Sequence, residues 1–471
     1  MFKSECEEVH VFKPLSNEKS GARTTVRQTL EFLSENEIKN NLKSHKHGKR
    51  GDLTFLHDHR RTNSDASVQS VMDILEQQKV STISELPTLF DKLVYSLRSL
   101  QHAQIVKVYY SLDNISTKKF FQDALPLLKT DAGVTLMKDI INKRDISEEI
   151  MVSWFSSFSF YKNPTRGMLV VLSSFINEKA QEAALLGISS LVGTFCANNR
   201  DCQNFAEYKE IVRRFEALLG GSCKTSTVEE ELKMVLVLKG IRNLGNILQA
   251  KEVLERCFQD RSNSPFIRVT VIEAVRKWEL SCSFTDSGLL EILKNREEDS
   301  EVRINAYLAL MTCPSEQIIA NIKSLLMNEE VNQVGSFIWT HLSNLQETRS
   351  KIGGKLFVKR IIGSDSLQNK WRSDVRKFSR NIEVSHFFNE YKIGGTLEGN
   401  IIFSEKSYIP RSVMLNLTMS LFGENVNIFE IGGRTEDFEN FVEELFGPNG
   451  YFKDDTLHNF LKTFSSRTKR S

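Results

Sequence analysis

The chain has 471 residues with 62 basic and 60 acidic side chains, and a formal charge of +2 offers no overall positive field to draw in nucleic acid. Apolar residues at 40% and charged residues at 26% exclude a disordered chain. No apolar run reaches the roughly 18 residues a membrane helix needs. The eight prolines leave room for long helices, and seven cysteines leave at least one thiol without a partner in the chain. The opening Met1-Phe-Lys-Ser-Glu-Cys6 lacks the apolar core of a secretory signal peptide, which taken alone fits a cytosolic chain.

Residues 1–62 lean towards β structure. Val9-His-Val-Phe12 and Thr24–Leu30 are rich in β-branched residues, and Asp52-Leu-Thr-Phe-Leu56 reads as a third strand. Three strands make a poor domain on their own, so this segment reads as the edge of something larger. A basic stretch, Lys43–Arg61, surrounds the third strand and holds His45-x-His47 and His57-x-His59. On a strand, alternate residues share a face and each pair could bind a metal, but no cysteine or carboxylate pattern completes a site. The stretch suits anionic lipid headgroups or sulfated glycans, against an ordinary solvated loop. Arg50-Gly51-Asp52 matches a cell-adhesion tripeptide, a string short enough to arise by chance.

Residues 63–350 carry a helical period. Val68, Val71, Met72 and Leu75 share one face, with Asp65 or Ser67 as N-cap. Leu86, Phe90, Leu93, Leu97 and Leu100 repeat the pattern, with Ser84 as cap and Pro87 in the first turn. Roughly sixteen helices follow one another to about residue 346, broken at Lys162–Pro164, Gly220–Ser222, Asn263–Pro265 and Cys313-Pro314. This predicts stacked helical hairpins with a repeat of about 35 residues, in which no fixed motif recurs.

Residues 351–380 read as a short helical connection, and 381–471 as the start of an antiparallel sheet. Leu397, Ile401 and Phe403 point one way, opposite Glu398, Asn400 and Ser404. Val413, Leu415, Leu417, Met419 and Leu421 share one face of the next strand. Val426–Ile431 forms a third, closed by Gly432-Gly433, and Phe438–Phe446 looks helical.

Catalytic constellations are missing from the sequence: it contains no Walker loop, G-x-S-x-G, H-E-x-x-H or paired C-x-x-C. The cysteines are more informative. Five residues separate Cys196 from Cys202; Cys223 and Cys257 stand 34 apart, and Cys282 and Cys313 stand 31 apart, each about one repeat. Residues one repeat apart are spatial neighbours, so three disulfides are predicted, with Cys6 left over. The alternative is six reduced core cysteines in a cytosolic protein. Asn114-Ile-Ser116 and Asn416-Leu-Thr418 are N-glycosylation sequons, compatible with secretion. Arg467-Thr-Lys-Arg470 fits a dibasic processing site or a frayed tail.

Several strings, in order along nearly the whole chain, resemble the large lipid transfer proteins, a superfamily that includes apolipophorin, apolipoprotein B, vitellogenin and microsomal triglyceride transfer protein. Glu301-Val-Arg-Ile-Asn-Ala-Tyr-Leu-Ala-Leu-Met-Thr-Cys-Pro-Ser315 and Val331–Leu345 resemble late helices of that superfamily's helical domain. Lys377-Phe-Ser-Arg-Asn381, Tyr408–Leu417, Leu421-Phe-Gly423, Glu430-Ile-Gly-Gly-Arg434 and Leu445–Phe452 resemble its lipid-cavity sheet. Cys6–Phe12 and Val26–Leu30 resemble late strands of its N-terminal barrel. The wording is closest to the apolipophorin and apolipoprotein B branch, with vitellogenin second.

The resemblance implies a mainly α fold with β: a right-handed two-layer α-α superhelix over 63–350, flanked by a β-barrel remnant over 1–62 and the start of a lipid-cavity sheet over 381–471. It implies a secreted, non-enzymatic carrier of phospholipid and neutral lipid, loaded in the endoplasmic reticulum, with lipid as cargo and no cofactor. Microsomal triglyceride transfer protein and lipoprotein receptors are the partners it suggests. It also supports pairing Cys223 with Cys257. Signal peptide, most of the barrel and the regions after the first sheet are missing relative to such proteins, so the chain is expected to be partial, with the partner of Cys6 in the upstream barrel. The expected lipid-side set is Leu397, Ile401, Phe403, Leu415, Leu417, Met419 and Leu421. The competing expectation is that this face packs on the helices. A yolk precursor and a helical interaction scaffold are the alternative functions.

Overall fold

A computed structural model describes residues 3–12, 22–31, 66–199, 201–245, 250–276, 288–349, 353–363, 367, 369–371, 378–388, 390, 393–404, 409–421 and 424–435. Lys43–Arg61 with its histidine pairs and the Arg50-Gly51-Asp52 tripeptide, the Asp52–Leu56 strand, Cys282, the Phe438–Phe446 helix and the dibasic tail lie outside these residues. The chain divides into two compact units, one of residues 54–318 and one of residues 1–53 with 319–471.

In the second of these units, β1 (Lys3–Phe12) and β2 (Ala22–Glu31) form an antiparallel hairpin in which Glu7 faces Arg27 across the strands. Their ion pair is 2.7 Å long. Cys6 is exposed and its thiol is free.

The helical unit contains α1 (Val68–Gln78), α2 (Leu86–Arg98), α3 (His102–Tyr110), α4 (Ile115–Leu128), α5 (Asp131–Asn142), α6 (Glu148–Ser157) and α7 (Arg166–Ser173). It continues with α8 (Glu182–Asn198), α9 (Ala206–Leu219), α10 (Val228–Leu244), α11 (Lys251–Gln259), α12 (Pro265–Arg276), α13 (Leu290–Lys294) and α14 (Ser300–Thr312). Many helices pack on the one two places along: α1 on α3, α3 on α5, α5 on α7 and α7 on α9 in one layer, and α2 on α4, α6 on α8, α8 on α10, α10 on α12 and α12 on α14 in the other. That alternation makes a two-layer superhelix, as the stacked-hairpin pattern predicts.

The caps are local. Ser67 caps α1 in a capping box with Ser70. At α2 the N-cap position falls on Glu85, not Ser84, with no side-chain cap, and the Glu85 carboxylate accepts the Thr82 backbone N–H and hydroxyl, both at 2.9 Å. The layer of α6, α8 and α10 packs at backbone distance. A Cβ on Gly187 would stand 1.9 Å from the Phe155 carbonyl, and one on Gly193 2.1 Å from that of Asn243.

A repeated motif does exist, in buried arginines. Arg268 and Arg303 are each the fourth residue of their helix, 35 residues apart. Arg268 Nε donates to the Phe258 carbonyl at 2.8 Å, and Arg303 Nε to the Leu293 carbonyl at 3.0 Å. Each closes the C-terminal turn of the preceding helix, whose carbonyls lack partners within that helix. Arg268 also holds Glu298 bidentately, at 2.6 and 2.8 Å.

Two of the predicted disulfides are present: Cys196–Cys202, between α8 and the turn before α9, and Cys223–Cys257, one repeat apart. Cys313 is also disulfide-bonded. Cys196, Cys202, Cys223, Cys257 and Cys313 are therefore bonded and not reduced.

Burial raises the Glu298 pKa, but the Arg268 hydrogen bonds and charge outweigh it, and the net shift is downwards. A depressed carboxylate pKa contributes stability above its unfolded value of about 4.3, and that stability is lost as pH falls through the folded value. Arg268→Ala should lower stability at neutral pH by roughly 3–5 kcal/mol in urea unfolding, because it leaves Glu298 buried without its bidentate partner. The gap between variant and wild type should narrow in acid.

Candidate functional site

The second unit contains α15 (Glu316–Asn328), most of which falls within it, then α16 (Asn332–Glu347) and α17 (Gly353–Ile362). Next come β3 (Arg380–Phe388), β4 (Ile393–Phe403), β5 (Pro410–Leu421) and β6 (Glu424–Arg434). The four strands form an antiparallel meander in the order β3-β4-β5-β6. The β3 strand is absent from the sequence reading, although Ile382, Val384 and Phe388 alternate in the way a half-exposed strand requires. Gly432 and Gly433 do not close β6, which continues through them to Arg434.

Directly paired residues of an antiparallel sheet share a face. Val384, Leu397, Leu417 and Phe429 therefore form one cross-sheet row, and Ile382, Gly399, Leu415 and Ile431 the next. Ile401 pairs with Val413, Met419 with Val426, and Ile393 with Leu421 on the same face. This face is open: Val384 and Ile431 are each 64% exposed, Leu415 40% and Leu397 39%. Six of the seven predicted residues lie on it. Phe403 differs, being buried at the register shift between Ile402 and Phe403, where its backbone N–H donates to the Ser379 hydroxyl at 2.8 Å.

The opposite face is polar, and this is the face the helices take. Asn381 donates its backbone N–H to the Thr340 hydroxyl at 3.0 Å, and the Asn344 amide donates to the Asn381 carbonyl and side chain at 2.9 and 2.8 Å. The Ser336 hydroxyl donates to the Ser379 carbonyl at 2.8 Å, and the Asn381 amide reaches Asn400 at 2.8 Å and Glu398 at 3.2 Å. Lys355 of α17 bridges Glu383 and Glu398, at 2.7 and 2.8 Å. The Thr348 hydroxyl also donates to Glu383. The buried groups of Asn381, Asn400, Glu383 and Lys355 are tolerated here because each has a partner. The expectation that the apolar face packs on the helices is thus reversed for α16 and α17.

Burial works against the Lys355 charge, but Glu398 and Glu383 together outweigh it and raise its pKa. Stability from a raised lysine is fully present below the unfolded value of about 10.4 and is lost as pH rises through the folded one.

Among the described residues, no group of three or more His, Cys, Asp or Glu is placed to hold a metal ion, and no helix is long and apolar enough to cross a membrane. Asn114 is exposed and caps α4 through Oδ1, which accepts the Thr117 N–H at 3.1 Å; a glycan would attach at Nδ2 instead. Asn416 lies mid-strand on the polar face, where Asn427 donates to its Oδ1 at 2.8 Å.

A two-layer helical superhelix followed in sequence by an antiparallel sheet with one open apolar face defines the class. Residues 62–343 match the vitellogenin TPR domain, and residues 377–471 the vitellinogen open β-sheet. The chain belongs to this vitellogenin-type family of large lipid transfer proteins. It is 31% identical to apolipophorins of Locusta migratoria over 98% of its length, and 26% identical to apolipoprotein B-100 of Homo sapiens over 95%. It spans 14% of the first relative and 10% of the second. A solved structure describing lipid–protein interactions in lipovitellin shares the fold, with a TM-score of 0.69 at 19% identity over 93% of this chain and 48% of that one.

Lys355→Ala should destabilise the unit by roughly 3–5 kcal/mol in chemical unfolding, since two carboxylates lose their common cation. The triple variant K355M/E383Q/E398Q should recover most of that loss, and equal losses in the two proteins would contradict the ion-triad account.

Proposed function

We propose that this chain is part of a secreted, non-enzymatic lipid carrier whose cargo, phospholipid and neutral lipid, covers the open face of the β3–β6 sheet. The observation that carries the reading is the inversion of that sheet: the helices bind its polar face and leave its apolar face free. An antiparallel sheet can border hydrocarbon because its backbone groups are satisfied between strands. Leu397, Ile401, Leu415, Leu417, Met419 and Leu421 supply the contact, joined by Ile382, Val384, Val413, Phe429 and Ile431. Each such side chain, fully covered by acyl chains, gains about 1.5–3 kcal/mol.

The Cys196–Cys202 and Cys223–Cys257 disulfides and the exposed sequon at Asn114 support a secretory route. The names of the relatives support a role in lipoprotein transport. In this reading residues 1–62 belong to a larger β-barrel, 63–350 are the helical scaffold, 351–380 connect, and 381–471 begin the lipid-binding sheet. Loading by microsomal triglyceride transfer protein and uptake by lipoprotein receptors are the partner steps it implies.

The test is to express the full chain in a secretory host, extract it, and quantify bound phospholipid and triacylglycerol per mole. The double variant L397E/L415E should lose most of the bound lipid while keeping the wild-type circular dichroism spectrum. A folded wild-type monomer that carries no lipid and takes up none from fluorescent vesicles would sink the carrier reading.

A further inference from the structure

The outward face of the edge strand β3 carries Ile382, Val384, His386 and Phe388 in alternation, three apolar side chains and one that titrates. His386 is exposed. Its row across the sheet continues through Gly395, Met419 and Val426. The rows on either side run Val384, Leu397, Leu417 and Phe388, Ile393, Leu421. Gly395 places no side chain beside the imidazole, and a Cβ there would meet nothing closer than 3.8 Å. The imidazole meets the Phe388 ring edge-on, at 4.4 Å between centroids. The charged groups lie elsewhere. Lys355, Glu383 and Glu398 are joined on the opposite face, where the Arg349 backbone N–H also donates to the Ser385 hydroxyl at 2.8 Å. Arg380 is six residues back along β3, about 20 Å away, and Glu424 holds a register position three strands across, about 14 Å away. Glu390 follows in the turn beyond Phe388. Among the described side chains of these three rows, none is a carboxylate that could pair with a charge on His386.

We infer that His386 is a proton-operated release switch, which lets lipid cover this face when the imidazole is neutral and drives the cover off when it takes up a proton. This rests on the carrier reading above and adds its regulation. Under acyl chains an imidazolium loses its water and finds no anion, so the covered state disfavours the charged form. On the uncovered face the same imidazolium is hydrated, and the Phe388 ring beside it offers a cation–π contact. The proton therefore binds the uncovered state more tightly than the covered one. Linkage makes this reciprocal: lipid affinity is full where histidine is neutral and falls as pH falls. Histidine is the side chain that changes charge between about pH 8 and pH 5, so the release falls in a mildly acidic range. A lysine or aspartate at this place would be charged throughout that range, and a glutamine would be neutral throughout it.

The test is to titrate the full chain with phosphatidylcholine vesicles that carry a fluorescent acyl chain, at neutral pH and at about pH 5.5. The zwitterionic headgroup keeps its charge between the two, so the difference reads the protein. Wild type should bind about tenfold more weakly in acid, the linkage expected when one histidine must give up its proton to bind. His386→Gln should bind within about twofold at the two pH values, because its amide carries no charge at either. His386→Phe should do the same and serves as the readout if the glutamine variant does not fold, with circular dichroism recorded at both pH values. Wild-type binding that does not weaken in acid overturns the switch, as does a folded His386 variant that weakens as much as wild type. Both of those results leave the carrier reading intact. A wild-type chain that binds none of the lipid at neutral pH overturns the switch and the carrier reading together.

Discussion

The polar face of the β3–β6 sheet is fastened to α16 and α17 by the Lys355–Glu383–Glu398 triad and by the hydrogen bonds of Asn344, Thr340 and Ser336 to Asn381 and Ser379. Strand side chains alternate, so committing one face fixes the other. With Asn381, Glu383, Glu398 and Asn400 turned inward, Ile382, Val384, Leu397 and Leu415 can only turn outward. In an ordinary half-buried sheet the apolar face makes the core and the polar face meets water. Here the protein contacts are directional, and the apolar side chains Val384, Leu397, Leu415 and Ile431 stand exposed.

That arrangement has an energetic consequence. Polar contacts lose their value when one member is missing, since the remaining group stays buried without its partner. The contact of α16 and α17 with the sheet is therefore specific in register, because a slip of one residue would bring Ile382 and Val384 against Asn344 and Lys355 and strand both. The helical unit uses the same economy of polar residues in Arg268 and Arg303, each closing a neighbouring helix end within an otherwise apolar interior.

Much of this was legible in the sequence. The helical period around Val71, Leu75, Leu93 and Leu97 gave the layered array, and the spacings of Cys196 with Cys202 and Cys223 with Cys257 gave bonds that form. The alternation from Val413 to Leu421 placed β5 and its apolar side correctly. The β3 strand was missed because its exposed side mixes Ile382 and Val384 with His386, and its inward side carries Asn381, Glu383 and Ser385, a pattern that resembles a solvated edge. The recurring arginines were missed because a charged residue near a helix start reads as surface unless its depth is known. Phe403 followed the alternation of its strand until a register shift, which no pattern in the side chains announces.

The sequence by itself determined the run of helices followed by strands, the Cys196–Cys202 and Cys223–Cys257 disulfides and the existence of an apolar side to the sheet, because these depend on local periodicity and on spacing along the chain. It could not determine which side of the sheet the helices would take. Hydrophobicity alone favours burying Leu397 and Leu415 against protein, and the opposite outcome depends on whether Asn344, Thr340, Ser336 and Lys355 arrive within hydrogen-bonding distance of Asn381, Ser379, Glu383 and Glu398. Those partners are separated by 28–43 residues. Only the tertiary structure brings them together, and once satisfied they hold the apolar face outward.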